Sequence, residues 1–456
     1  MENGGIKRGE IRREIRWLVL PIMAESIFAL SGNLIFIAFL SRIDGVGLSS
    51  LTHVAAYGLS VIITGLVWNL LKGISIGATI SLSQAVGAGE RDRILQTGMQ
   101  TVGLLFVLGC LSSILVYIFA EPIVLFYRPD AETLAISVRY IRICCFGFPF
   151  LGLMHASTGI MQGTGNTKVP MKFSAILNLV FIVVGVPLIF GWFGDPIGVV
   201  GSGFALVTGQ VVTAAAGMLT LFGKRGLLRP AFKTAAARVS FKTIFTVLKL
   251  GLPTSLENIF WLLAAMVIGR VMLGFGDVQY AANQIGLQTE SIATLPATSF
   301  GIVAMTLCGR AIGAKKRELG EAYLAEIKKS VYPVIAAGAL LLLLIPGFLL
   351  SLMSNNGEVV SLASIYLRIM GACLPAISLS QVYLGALKSG GHTRTPMLIA
   401  LAGLWCIRVP LSILAASIAG STIVWLWYVV AIDLVARFAA SVIVFRKTRL
   451  FERLTA

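Results

Sequence analysis

The sequence predicts an all-α polytopic membrane protein, with twelve transmembrane helices in two parallel six-helix bundles. Three observations carry that expectation: the composition, an internal repeat and the distribution of loop charge. Hydrophobic residues make up 57% of the 456 and charged residues only 12%. A soluble domain is about a quarter charged, so half of the usual surface charge is missing. Apolar runs long enough to cross about 30 Å of hydrocarbon recur along the chain. The net charge of +17 then needs no nucleic acid to explain it.

The repeat is read from residues that recur at one offset. Thr167, Pro170 and Met171 return 226 positions later as Thr393, Pro396 and Met397. The same offset carries Tyr140, Arg142 and Pro149 onto Tyr366, Arg368 and Pro375, and Ala85-Val86-Gly87-Ala88 onto Ala311-Ile312-Gly313-Ala314. One register held over three separated blocks marks two copies of one multi-helix unit. The expected organisation is an N-terminal six-helix bundle (1–222), a cytoplasmic connector (223–242) and a C-terminal six-helix bundle (243–456).

In order, residues 1–16 hold Lys7, Arg8, Arg12, Arg13 and Arg16 and read as a cytoplasmic amphipathic lead-in. The apolar run that follows is too long for a signal peptide, and no small-residue cleavage site follows it. The first six spans are 17–40, 51–82, 95–119, 136–162, 170–190 and 198–222. Small residues at the end of the second (Gly73, Ser75, Gly77, Ser81) suit close helix contact in lipid. Pro170 opens the fifth, where a helix needs no donor. The connector is polar and is expected to act as a loose tether. The second set is 243–272, 283–307, 331–353, 360–387, 396–418 and 422–445. Gly-rich turns at equivalent places in both halves are expected to set bundle geometry rather than to touch substrate. All six cysteines, Cys110, Cys144, Cys145, Cys308, Cys373 and Cys406, lie in apolar runs without a CxxC pair. Reduced thiols are expected, and neither a disulfide framework nor a metal is indicated.

Loop charge orients these spans, because Lys and Arg stay on the cytoplasmic side. The even-numbered gaps and the tail hold Arg91, Arg93, Lys168, Lys172, Lys224, Arg225, Lys315, Lys316, Arg317, Lys388, Arg394, Arg446 and Lys447, among others. The odd-numbered gaps hold only Arg42 and Arg128. The alternation puts both termini in the cytoplasm. Six spans per half then give both halves the same orientation.

With these residues the chain resembles the multidrug and toxic compound extrusion family. The likeness rests on Ser83-Gln84-Ala85-Val86-Gly87-Ala88-Gly89 after span 2, Gln162-Gly163-Thr164-Gly165-Asn166-Thr167 after span 4, and Ala281-Ala282-Asn283-Gln284-Ile285 opening span 8. It covers about 16–445. The resemblance implies a secondary exporter in the cell membrane, with two six-helix bundles around a central cleft. Small cationic, amphipathic organic compounds would be extruded, driven by H⁺ or Na⁺ influx. No cofactor is implied beyond the transported ion, and the bilayer itself is the only other partner expected of a monomer. Gln284, Asn283, Asn178 and Asn33 are the substrate-binding candidates, Asn178 being one that matches the family pattern.

Ionisable groups inside apolar spans are costly and are functional candidates by default. Three glutamates qualify as ion-coupling residues: Glu257, Glu290 and Glu25. Glu25 follows Pro21 by four residues as Glu257 follows Pro253, at an offset of 232. Glu290 stands where the first repeat has Thr64. Arg142, Arg270, Arg368 and Arg408 are available as partners. Where many members carry acids in spans 1 and 5, this chain has Phe36 and Gly185, and Ile377 stands where an aspartate is expected in span 10. The second half is therefore the expected seat of coupling. A flippase for a lipid-linked precursor is the alternative, with Arg142 and Arg368 as its cationic groups. A membrane-embedded transferase would need an Asp or Glu cluster for Mg²⁺, and no DxxD-type cluster lies at a span boundary. No Walker A motif occurs. The protein is not read as an enzyme.

Overall fold

The computed structural model describes residues 8–40, 50–192, 197–233, 238–418, 420 and 422–452, the side chains of 29–30, 32–40, 50–51, 53–54 and 232–233 excepted. Among these residues the chain is helical throughout, with no strand. The helices are α1 (Arg8–Leu40), α2 (Ser50–Ala88), α3 (Arg91–Leu125), α4 (Ala131–Cys145), α5 (Phe148–Gly163), α6 (Lys168–Phe190) and α7 (Val199–Phe222). They continue as α8 (Phe241–Leu273), α9 (Asp277–Gly313), α10 (Arg317–Leu344), α11 (Pro346–Ser351), α12 (Gly357–Ser389), α13 (Arg394–Leu401), α14 (Val409–Ser417) and α15 (Ile423–Thr448). Ten are long and apolar enough to cross a membrane, eleven if α4 and α5 are counted as one bent span. The twelfth predicted span lies in α1.

Three elements differ from the sequence reading, each for a local reason. The fourth span is bent by 51° between α4 and α5. At the bend, a side chain on Gly147 would overlap the Gln210 amide, and Pro149 sits in the first turn of α5, where no donor is lost. The eleventh span is α13 and α14 joined by a π-helical segment, Ala402–Arg408. Gly403 lets this wider turn close onto Asp433 and Arg437 of α15. The connector is not a loose tether throughout. Leu228 and Ala231 are fully buried, and the Leu228 methyls fill the space above Gly98 of α3.

The chain forms two compact units. The first contains α1 up to Met23, Ser83–Gly89, and the chain from Leu256 onward. Here Ile11, Ile15, Leu18 and Ile22, one face of a helix by their spacing, pack with Phe300, Val303 and Leu307 of α9. Arg12 Nε donates to Glu326 at 2.7 Å, while Glu14 accepts from Arg310 and from the Tyr323 hydroxyl, both at 2.9 Å. The ends of α2 and α9 meet backbone to backbone. A Cβ on Gly87 would overlap the Arg310 carbonyl oxygen, and one on Gly313 the Gln84 carbonyl oxygen. These are one contact seen from both repeats, since 84 and 87 become 310 and 313 at the offset of 226.

The second unit contains Ala24–Leu82 and Glu90–Ser255. The leading part of α8 packs on α2 through small residues. Gly73 has no room for a side chain against Ser255, nor Gly77 against Val247 and Gly251. Ser255 Oγ donates to the Leu70 carbonyl at 2.8 Å. The two units change over at Met23 and Ser255, which are 232 residues apart, the offset of the prolines. Each repeat thus lends the start of its first helix to the other unit. The repeat-related turns also share geometry: Gly165 and Gly391 both take left-handed backbone, with φ of 84° and 81°.

Candidate functional site

Proline within a helix removes one intrahelical hydrogen bond, and both repeats place a glutamate one turn beyond it. In the second unit, Glu25 accepts from the Gln162 amide at 3.2 Å, and the Lys72 ammonium acts on it electrostatically. In the first unit, Glu257 pairs with Lys388 Nζ at 2.8 Å, the two side chains being 18% and 14% exposed. Gln162 and Lys388 are repeat partners at 226. The two glutamates therefore occupy one site built twice, with a neutral partner in one copy and a cation in the other. Thr298 stands where the repeat of Lys72 would be.

The copy in the first unit extends further. Asp433 of α15 is completely buried, and its Oδ2 receives Arg408 Nε and Nη2 at 2.7 Å and Arg437 Nη2 at 2.8 Å. Its Oδ1 has no hydrogen-bond partner among the described residues and lies against Gly403. Arg437 feels the charge of Glu257, and Glu290 that of Arg408. The Tyr366 hydroxyl donates to Glu290. Ion pairs join Arg408 and Arg437 to Asp433 and, separately, Lys388 to Glu257, while Glu290 and Arg408, and Arg437 and Glu257, act on each other electrostatically without an ion-pair contact, giving an alternating series of charge: Glu290, Arg408, Asp433, Arg437, Glu257, Lys388. Three acids face three bases, so the set is neutral when all are charged. Such a balance is what allows charges into a low-dielectric interior. A proton or other cation arriving at Glu257 must displace Lys388 or leave the set positively charged.

The expected substrate residues divide. Asn283 is buried, and its Oδ1 accepts from Trp427 Nε1 at 3.1 Å. The Trp427 ring meets Tyr366 edge-on at 5.4 Å, so Asn283 and Glu290 are the two ends of one packed chain. Gln284 is exposed and donates instead to the Tyr280 hydroxyl at 2.7 Å. Asn178 belongs to the second unit, where its amide donates to the Phe28 carbonyl. The side chains of Asn33 and Phe36 lie outside the described residues. Glu257 and Glu290 do not touch; Arg437, Asp433 and Arg408 stand between them in the series. Of the foreseen arginines, Arg408 serves this network. Arg142 faces Glu121 at 3.9 Å in the second unit. Asp433, Arg437 and the role of Lys388 were not foreseen. The rule that flagged the glutamates would have found Asp433 and Arg437, which lie one turn apart in an apolar span.

An all-helical membrane protein of two parallel repeats, with paired charges inside its spans, has the build of a secondary transporter. The MatE family model matches residues 21–187 and 253–414, two stretches that open on the repeat-related prolines. The chain belongs to the multidrug and toxic compound extrusion family of membrane transporters. It is similar, at 24% identity over 445 residues, to a probable multidrug resistance protein NorM of Thermotoga maritima, with 96% of this chain and 92% of that one covered. A probable multidrug resistance protein YoeA of Bacillus subtilis is 24% identical over 425 residues, covering 91% and 89%. Among solved structures, an outward-facing multidrug resistance MATE family transporter superposes with a TM-score of 0.84 at 17% identity, covering 98% of this chain and 97% of that one. A variant of the Vibrio cholerae MATE transporter VcmN gives 0.85 at 17%, covering 97% and 99%. The structures carry the fold: twelve helices in two bundles.

Proposed function

We propose that the protein is a secondary active exporter, an antiporter that extrudes cationic amphipathic organic compounds at the expense of H⁺ or Na⁺ influx. The relatives named multidrug resistance proteins support the substrate class. The observation that carries the reading is the Glu257–Lys388 pair at the end of a charge-balanced series. A carboxylate already neutralised by a lysine is a poor resting place for a second cation. Either the driving ion or the substrate can replace that lysine, but not both at once, because two cations on one desolvated group repel. Competition for one group is enough to couple inward and outward movement.

In this reading Glu257 carries the driving ion and Glu290 is its remote helper through the arginines. Glu25 has the lesser role, and Asn283, Gln284, Asn178 and Asn33 meet the substrate. The repeats 1–222 and 243–456, joined by 223–242, are the two bundles that alternate access, in a monomer with both termini cytoplasmic. The test is ion-driven efflux of cationic dyes from vesicles with an imposed pH or Na⁺ gradient. Glu257→Gln keeps shape and hydrogen bonding but loses the charge, and it should abolish driven efflux at normal insertion. Glu25→Gln should lose less. Full coupling in Glu257→Gln with loss in Glu25→Gln would move the site to the other repeat and overturn the assignment.

A further inference from the structure

A groove of about 570 Å³ runs along the surface of the second unit between α3, α4 and α7. Its floor is apolar, and aromatic side chains line its open edge: Tyr117, Phe146 and Phe204, which are 44%, 64% and 45% exposed. Two arginines enter it from α4, Arg139 and Arg142, three residues apart and so on one helix face. Among the described residues one acid in the groove answers them. Glu121 lies 3.9 Å from Arg142, with both side chains about half exposed, a loose pair of little worth. The Arg142 guanidinium lies over the Tyr117 ring at 5.5 Å. Its Nε is buried without a hydrogen-bond partner among the described residues. Arg139 is exposed.

The depth of the groove decides what can fill it. At ~1.5 Å per residue, the 35 residues of α3 are about 52 Å long. That exceeds the ~30 Å of hydrocarbon, so each end projects by about 10 Å. The turn after α3 leads into α4 through the N-cap Asp130. Arg139 and Arg142 then lie roughly 13 and 18 Å along α4 from that cap. Their backbone falls about 3 and 8 Å below the hydrocarbon boundary, within reach of the headgroups for side chains of their length. Two guanidinium groups there, beside apolar walls that continue into the hydrocarbon, match a phosphate joined to acyl chains.

We propose that this groove binds an anionic glycerophospholipid from the leaflet nearest the α3–α4 turn. Arg139 and Arg142 hold its phosphate, and Tyr117, Phe146 and Phe204 pack on an acyl chain. Fork-shaped guanidinium groups suit phosphate oxygens, and the bound phosphate gives the orphaned Arg142 Nε an acceptor. The repeat-equivalent positions make a control within the same chain. Arg142 is matched by Arg368, but Arg139, Tyr117 and Phe146 are matched by Ile365, Leu343 and Ala372. The site belongs to one repeat only.

The test is native mass spectrometry of the purified full-length protein, titrated with phosphatidylglycerol or phosphatidylcholine. The tightest bound phosphatidylglycerol should be held at least tenfold more strongly than phosphatidylcholine. Arg139→Gln with Arg142→Gln should remove that preference. Glu121→Gln, which frees Arg142 from its only acid, should strengthen phosphatidylglycerol binding, and it decides the matter if the double variant does not fold. Inorganic phosphate, lacking acyl chains, should not displace the lipid. Equal binding of the two lipids by the native chain, an unchanged preference in the double variant, weaker binding in Glu121→Gln, or full displacement by phosphate would each overturn the proposal.

Discussion

Lys388→Gln gives the C-terminal repeat the side chain that the N-terminal repeat already holds at Gln162, so it tests the coupling site with a residue the fold accepts. The Glu257–Lys388 pair is 2.8 Å long and its members are mostly shielded from solvent. Two unit charges about 4 Å apart at an effective dielectric near 20 attract by about 4 kcal/mol. Desolvation of both groups offsets part of this, leaving on the order of 1.5–3 kcal/mol. An entering cation must overcome that amount to take Glu257. At about 1.4 kcal/mol per factor of ten, Lys388→Gln should tighten cation binding at Glu257 by roughly 10- to 100-fold. Driven efflux should slow, since an ion held more tightly leaves more slowly. Fluorescence anisotropy of a cationic dye on the purified variant reads the first effect, with Na⁺ and pH as competitors. Vesicle efflux reads the second. Unchanged or weaker cation binding, with efflux at the native rate, would refute the idea that Lys388 is a resident competitor.

Two further expectations rest on separate features. Asp433→Asn leaves Arg408 and Arg437, whose nitrogens share one oxygen at 2.7 and 2.8 Å, without their common acid. Breaking a buried ion cluster this way costs about 3–5 kcal/mol. A clear fall in melting temperature in detergent should follow, partly restored by adding Arg437→Gln; an unchanged melting temperature would mean that the cluster bears no weight. For topology, cysteines placed at Asp277 and Asn355 should label from outside the cell, and one at Lys224 only after permeabilisation. Labelling of all three from one side would dismantle the loop-charge reading.

Much of the architecture was legible because its signals are collective. Composition, a repeat register and alternating loop charge each sum over many residues, so no single position could mislead them. What escaped was local. The bend at Gly147 interrupts no apolar run, and the side chain packed against it there, Gln210, is more than sixty residues away. The π segment at Ala402–Arg408 leaves the hydropathy pattern intact as well. The connector was read as loose because Leu227-Leu228 is a short apolar pair in a polar stretch, yet one buried leucine is enough to dock it. At the site, the glutamates were found because carboxylates in apolar spans stand out. Lys388 was hidden by its place at a helix end, where it counted as cytoplasmic loop charge. Nothing in the chain's local pattern says that a side chain at a turn reaches back to a glutamate on another helix.

Comparison of the repeats separates geometry from chemistry more sharply than either copy alone. Many positions that match between the repeats shape the backbone: Gly87 and Gly313, Gly165 and Gly391, and Pro170 and Pro396 at the offset of 226, and Pro21 and Pro253 at 232. Tyr140 and Tyr366 match too, yet Tyr140 meets Tyr57 edge-on at 6.1 Å and hydrogen-bonds to Cys144 and Ser202, whereas Tyr366 donates to the carboxylate of Glu290. Of the charge series in the C-terminal copy, every member but Glu257 lacks a charged counterpart. Glu290, Lys388, Arg408, Asp433 and Arg437 stand opposite Thr64, Gln162, Ile182, Val207 and Val211. Glu25 and Glu257 are common to both, but Glu25 is hydrogen-bonded to the neutral Gln162 amide, with Lys72 acting on it only electrostatically, whereas Glu257 is paired with Lys388. Two copies bound to one backbone plan share the glycine contacts and proline breaks that set how their helices approach. They need not bind alike. A carboxylate whose neutralising base sits at the end of a balanced charge series responds to a cation by re-pairing along that series. A carboxylate held by a neutral amide has no such series to re-pair. The repeat difference is therefore the ground for proposing the C-terminal copy as the seat of ion-responsive chemistry, and Gln162 supplies the side chain with which to test that proposal at position 388.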